Sequence, residues 1–338
     1  MKTPTSIAFA FLLAACAGAL CATRAFGGDP APAAPVAAAA RTFSFTYLAK
    51  VPKPPDGAKR LDAWIPTPVS DDLQSVTDLK VTAMVDDKAV AFEQAKDETY
   101  GNSMVHVGVD APAGPLLLEW TATVTRKADS GQGTGPVLDR FKEADRLVPV
   151  TGRAATLAKE LGVEGTADLM ARAKKAYDNV LATMVYDKVA PGWGKGDFER
   201  ACDVGKGNCT DFHAKFTGIA RAGGIPVRFT MGIPLSTEAK GTAGGYHCWA
   251  HFYDGTHWIP VDISEAQKVN AKDPAKAQWF FGHLDPDRVA LSVGRDLVLS
   301  PKQKGEPLAF FAYPYVEVDG KATDPLPKEN RAFTWESK

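Results

Sequence analysis

The stretch GNCTDFHAKFTGIARAGGIPVRF, Gly207 to Phe229, sets Cys209 between a small-residue turn and an amphipathic helical pattern. Phe212, Phe216 and Ile219 recur at helical spacing, so a helix starts beside the cysteine and stops at Gly223-Gly224. A thiol in the first turn of a helix faces unpaired backbone N–H groups. Their partial positive charge favours the thiolate, and the same groups can bind a developing oxyanion. Cysteine is also a small apolar residue that is commonly buried, so this position alone leaves nucleophile and structural filler both open.

A second block gives the thiol a partner. YHCWAHFY and HWIPVDI flank Asp254-Gly255, a strong hairpin signal. A four-residue loop, Tyr253 to Thr256, sets His247 opposite Asp262 at a non-hydrogen-bonded position, where side chains approach most closely. The same register places Pro260 where its missing N–H costs no ladder bond. A histidine oriented by a carboxylate is what a cysteine nucleophile needs, because the imidazole takes the thiol proton while the carboxylate fixes its tautomer. Cys209, His247 and Asp262 are therefore the candidate catalytic residues, with Asn208, Asp211 and Trp249 beside them in support. A cross-strand polar pair is the plainer reading of His247.

Cys209, His213, His247 and His251 also raise the idea of a zinc site. Four residues along a strand separate His247 from His251 by ~13 Å, too far to share one tetrahedral ion. The reading calls for no metal and no cofactor. His213 and His251 are then polar residues packed near the site.

The elements that must position these residues fall into two groups. From Arg41 to about Lys127, runs such as TFSFTYLAKV, LDAWIP, DLKVTAMV, SMVHVGV and LLLEWTATVT alternate with period two and are bounded by turn residues. They predict a small antiparallel β-sandwich over residues 41–128, and KADSGQGTGP, Lys127 to Pro136, reads as a boundary. VLDRFKEADRLV, RAATLAKELG and TADLMARAKKAYDNVLATMVYD then read as helices, with Gly162 as a C-cap. Asp197 to Lys206 reads as irregular. The helix at Cys209, the strand IPVRFTMGIPL and the hairpin complete a catalytic region over 136–300. Residues 301–338 form a C-terminal β extension.

The chain has 338 residues, a formal net charge of -1, 45% hydrophobic and 23% charged residues, the composition of an ordinary globular protein. So little net charge argues against nucleic acid or an anionic membrane surface as partner. Lys2 precedes the uncharged apolar run Ile7 to Ala22, which is too short for a spanning helix and reads as a signal peptide within residues 1–28. Cys16 in LAAC offers a lipid-anchor alternative. Residues 29–40 read as a Pro/Ala linker. Export to a periplasmic or secreted location leaves Cys202, Cys209 and Cys248, an odd number in an oxidising compartment. The pairing expected is Cys202 with Cys248, leaving Cys209 reduced.

The two blocks around Cys209 and His247 strongly resemble the core of the transglutaminase-like superfamily. Cys209 takes the cysteine of its glycine-x-cysteine turn, Arg228 the arginine of its GIPxR strand, and His247 and Trp249 its HxW strand. Trp258 and Asp262 fill its W-x-x-x-D strand. WFFGHLDPDRVALSVGRDL, Trp279 to Leu297, and FFAYPYVEVDG, Phe310 to Gly320, look like flanking segments of exported bacterial members. The resemblance implies an α+β, papain-like core, with helices packed on an antiparallel sheet, preceded by the sandwich. It implies thioester acyl chemistry on peptide or glutamine-type amides of a protein or peptide substrate. Protein crosslinking by transglutamination is one alternative; a module that kept the fold but lost catalysis is another. This sequence lacks an acidic cluster suited to calcium and shows no amine tunnel, so hydrolysis is the expectation. The oxyanion-assisting aromatic of some members has no clear counterpart here: Trp193 is one match for it, and a packed or exposed loop tryptophan is the plainer reading.

Overall fold

Strand β1 (Ala40–Val51) alternates as its sequence requires: Phe43, Phe45, Tyr47, Ala49 and Val51 are all buried. The computed structural model describes residues 39–165 and 168–338. The expected signal peptide, Cys16 and linker residues 29–38 lie outside them. Six more strands precede the first helix: β2 (Arg60–Thr67), β3 (Gln74–Val85), β4 (Lys88–Ala89), β5 (Glu93–Lys96), β6 (Ser103–Asp110) and β7 (Leu116–Lys127). The helical region runs through α1 (Arg153–Glu160), α2 (Leu169–Thr183), β8 (Val185–Tyr186), α3 (Phe198–Val204), β9 (Lys206–Gly207) and α4 (Cys209–Ala222). Strands β10 (Val227–Pro234), β11 (Lys240–Thr242), β12 (His247–Tyr253) and β13 (Trp258–Val261) follow, then α5 (Ile263–Asn270), α6 (Pro274–Trp279) and β14 (Arg288–Val293). The chain finishes with β15 (Tyr315–Val318), β16 (Lys321–Ala322) and β17 (Arg331–Ser337).

Among the described residues the strands make two facing antiparallel sheets, a third that carries the site, and a short parallel pair of β8 with β9. The first has the order β11-β17-β1-β7-β3-β4 and the second β16-β15-β2-β6-β5. Phe45, Tyr47, Leu118 and Trp120 from one meet Leu61, Ile65, Val105 and Val107 from the other in a common core. Strands from residues 301–338 are part of both layers: β17 pairs with β1, setting Phe45 opposite Trp335, and β15 pairs with β2.

The third sheet, β13-β12-β10-β14, is antiparallel throughout. Helices pack on it through Phe212, Phe216, Ile219, Val227, Ala250 and Phe252. Ile233, Val289 and Leu291 join it to the sandwich core. Helices packed on an antiparallel sheet are the α+β arrangement expected of a papain-like core, while the sandwich is completed by β11 and by strands from residues 315–337 and is not confined to 41–128.

Two stretches differ from the sequence reading. Residues 137–148 hold only a 3-10 turn at Asp139–Phe141. Asp145 is claimed by Arg140 at 2.7 Å and, from 76 positions away, by the buried guanidinium of Arg221 at 2.7 Å, and this distant partner overrides local helical propensity. Conversely, residues read as irregular form α3. Asp197 caps it by accepting from the Arg200 N–H, and Gly205, at φ 61°, closes it. The boundary segment is not loose either, since Gly133 O accepts from the Trp258 N–H and Asp129 exchanges backbone bonds with Leu284.

Candidate active site

Cys209 is the first residue of α4, and the turn before it is locked from several directions. Asn208 caps the helix: its Oδ1 accepts from the Thr210 N–H at 3.0 Å, while Asp211 Oδ2 accepts from the Asn208 N–H at 2.9 Å. This is a capping-box arrangement, in which the two side chains between them satisfy the otherwise unpaired N–H groups of Thr210 and Asn208. Asp211 also accepts from the amides of Gly194 and Gly196, which ties the loop after β8 to the helix start. Gly207 is required because a Cβ there would stand 2.2 Å from Asp211 Oδ2. The parallel pairing of Tyr186 with Gly207 fixes the same loop from its other end.

His247 Nε2 and Asp262 Oδ2 lie 2.7 Å apart. The expected contact is present, but the expected register is not. Tyr253 pairs with Trp258 and His251 with Pro260, so the loop is Asp254–His257, not Tyr253 to Thr256. Asp254 draws it there by accepting from the amides of Thr256 and His257, both at 2.7 Å. Carried on, this register sets Trp249, not His247, opposite Asp262. Slipping by two keeps every side chain on its face, and Asp262 reaches His247 diagonally, from a position just past β13 as the N-cap of α5. Pro260 does occupy a non-hydrogen-bonded site: the Trp258 and Tyr253 amides point away to Gly133 and Pro226, and the pair two residues on behaves alike.

With Nε2 on the carboxylate, Nδ1 is the nitrogen left to face Cys209. The thiol is 2% exposed and His247 6%. Burial alone would push Cys209 up, but hydrogen bonds with Cys248 and His247, then the charge of His247, bring it well below the ordinary thiol range. Burial likewise opposes charge on His247, yet the charge and hydrogen bond of Asp262, with Cys209 behind them, raise it to about 10. Asp262 would be raised by burial and is held well below the carboxylate range by His247 and Arg288. The arrangement favours a thiolate–imidazolium pair.

Residues 155–263, which include all three of these side chains, match the sequence model of the Transglutaminase-like superfamily. This segment is a transglutaminase-like core. A crystal structure of a candidate cysteine protease from Cytophaga hutchinsonii aligns over 88% of this chain and 98% of that one, with a TM-score of 0.55 and 15% identity, a likeness of fold. An uncharacterized protein of Haemophilus influenzae is 36% identical over 180 residues, which are 43% of this chain and 48% of that protein. The chain thus spans about half the length of this curated relative.

Around the transglutaminase-like core, several residues stand differently from the sequence reading. Cys202 and Cys248 do not pair: Cys202 packs into the helical core, whereas Cys248 lies against Cys209, and all three cysteines are free. Burial and the neighbouring Cys209 push Cys248 well above the thiol range, so it keeps its proton beside Cys209. Trp193 sits 38% exposed in the loop beside the α4 turn, with Lys188 over its ring, and its indole has no hydrogen bond among the described residues. Trp249 is fully buried between Arg126 and Arg288. Arg228 lies 4.7 Å from the Trp258 ring. His251 is paired with Asp129 at 2.9 Å, away from the thiol.

Three residues outside the expected trio and its supports complete the surroundings. His213 donates from Nδ1 to Cys209 O at 2.8 Å and accepts on Nε2 from the Ile263 N–H at 3.3 Å. That pattern fixes the neutral Nδ1–H tautomer, and burial lowers its pKa to match. Arg288 reaches Asp262 from β14, and Tyr246 packs beside Cys209 under Phe310 and Tyr313. No local pattern announces Arg288, whereas His213, four residues along the helix from Cys209, was already placed near the site. The tyrosine next to the histidine was a signal in plain view.

Proposed function

We propose that the protein is an exported cysteine-dependent acyl hydrolase acting on peptide or glutamine-type amides. The observation that carries this reading is the convergence of Cys209, at the start of α4, with a His247 whose other nitrogen is 2.7 Å from Asp262. Cys209 Sγ attacks the amide carbonyl carbon, forming the S–C bond as the carbonyl pair moves to oxygen. Collapse breaks the C–N bond, and the proton on His247 passes to the departing ammonia or amine, leaving a thioester. His247, now neutral, takes a proton from water, whose oxygen attacks the thioester and releases acid and thiolate. Asp262 holds the imidazole in one orientation throughout.

An intact trio supports catalysis over a lapsed binding module, because a lapsed site usually loses one of its members. Export is supported by the apolar run Ile7 to Ala22 and is checked by N-terminal sequencing of the mature protein. The test of activity is incubation of wild type and Cys209→Ala with a glutamine-containing peptide library, reading ammonia release, cleavage and amine incorporation. Cys209-dependent release without incorporation supports the hydrolase. Incorporation of an added amine assigns transamidation, and neither product from the wild type overturns the enzyme reading.

A further inference from the structure

A thioester-forming cysteine needs donors for the oxygen that becomes negative, and α4 supplies only one. The Thr210 N–H is taken by Asn208 Oδ1, and those of Asp211 and Phe212 by Asn208 O. The Cys209 N–H, at the first helical position, has no partner among the described residues. A second donor stands beside it. The partly buried Tyr246 ring packs against the cluster that holds Cys209 and is wedged against Phe310 at 5.2 Å and Tyr313 at 5.1 Å. Its oxygen accepts from Asn208 Nδ2 at 3.0 Å. The orientation of that amide is fixed, because Asn208 Oδ1 already receives both the N–H and the hydroxyl of Thr210. The Tyr246 hydroxyl therefore accepts from Asn208 and keeps its own proton to give, and no described residue receives it. Asn208 directly precedes Cys209, so this free O–H stands at the helix N-terminus where the unpaired N–H emerges.

We propose that the Tyr246 hydroxyl and the Cys209 amide together form the oxyanion hole. The proposal rests on the acyl-transfer reading above and assigns Tyr246 the part played by an aromatic in some members of the family that the sequence resembles. When Cys209 Sγ bonds to the carbonyl carbon, the displaced π pair on oxygen is met by both donors. Asn208 holds the hydroxyl in place, so the hole is organised before the charge arrives.

The probe is p-nitrophenyl acetate, whose carbonyl must pass through an oxyanion, set against iodoacetamide, which reacts with the same sulfur at a saturated carbon. In Tyr246→Phe, nitrophenolate release should fall about 100-fold, while the rate and pH profile of Cys209 alkylation stay within about twofold. Wild-type acylation in this variant would overturn the proposal. So would an equal fall in both reactions, since that means Tyr246 only shapes the helix start. Asn208→Ser, which keeps a helix cap but removes the Nδ2 donor, should show a smaller fall in acylation alone; unimpaired acylation there would likewise count against the hole. If the wild type alkylates readily but releases no nitrophenolate beyond Cys209→Ala, the acyl reading itself is wrong and the hole goes with it.

Discussion

Arg288 Nη1 lies 3.3 Å from Asp262 Oδ2, the same oxygen that His247 Nε2 approaches to 2.7 Å. The other arm of the guanidinium holds Asp285 at 3.1 Å, and its centre lies 4.9 Å from the Trp249 ring. Asp262 Oδ1 is occupied separately, by the Ser264 hydroxyl and the Glu265 N–H. A carboxylate buried with a single cation is left uncompensated whenever that cation becomes neutral, which is costly. Here the proposed reaction needs His247 to lose its proton, and Arg288 keeps Asp262 paired while it does so.

Arg288→Gln should therefore lower stability by about 3 kcal/mol, the scale of a broken buried pair, read as a lower urea midpoint at pH 7. Arg288→Lys restores the charge without the two-armed geometry and should lose less. Equal losses would make packing on Trp249, not the carboxylate, the part that matters.

The thiolate–imidazolium pair is visible in alkylation. In the wild type, iodoacetamide should modify Cys209 well below the ~8.5 of a free thiol. His247→Ala removes the imidazolium's charge and hydrogen bond and leaves burial opposed mainly by Cys248, so the profile should move to higher pH and the rate at pH 6 should drop at least tenfold. Stability follows with a definite sign. The His247 pKa is raised in the folded protein, to about 10, so its contribution is complete below about 6.5 and lost as pH rises through about 10. The stability gap between wild type and His247→Ala should shrink over that window. A gap that stays constant, or an alkylation profile that does not move, contradicts the pair.

What could be read from the chain depended on how local the cause was. The start of α4 was legible because Asn208, Asp211 and Gly207 act on their immediate neighbours. The contact between His247 and Asp262 was legible because face parity survives a two-residue slip. The slip itself came from the Asp254 side chain capping two amides, and the segment quoted contained that residue. Helix α3 was missed although Asp197 and Gly205 bracket it. The false helix at 137–148 had a remote cause, since Arg221 claims Asp145 across 76 positions. Arg288 enters the site only because β14 pairs with β10, and the pairing of β17 with β1 is likewise a long-range choice that no window of sequence contains.

His251 carries a prediction of opposite sign to His247. It is 3% exposed and bonded to Asp129, yet burial and then the charge of Arg228 lower it to about 4. A base with a lowered folded pKa binds fewer protons folded than unfolded, so stability falls as pH drops from about 6.5 to about 4. The loss is about 3 kcal/mol for the shift. His213, also lowered by burial, adds to the same window, so the quantity to measure is the difference between wild type and His251→Gln in urea unfolding from pH 7 to pH 4. The slope should be shallower in the variant; identical slopes would mean His251 is already charged in the folded protein.

Cys248 tests the second support of the thiolate. It shares the buried cluster with Cys209 and lies 3.6 Å from His213 Nδ1, and its hydrogen bond is among the causes that lower Cys209. Cys248→Ala removes that hydrogen bond with little change in volume, so stability should fall by less than about 1.5 kcal/mol. The Cys209 alkylation profile should move to higher pH, by less than in His247→Ala because the charge of the imidazolium remains. In the wild type, Cys248 itself is pushed up by burial and by Cys209, and Cys202 is pushed up by burial. Intact-mass analysis below pH 8 should then show a single adduct, located at Cys209 by peptide mapping. A profile in Cys248→Ala that overlays the wild type would mean the thiolate is held by His247 and the helix N-terminus alone.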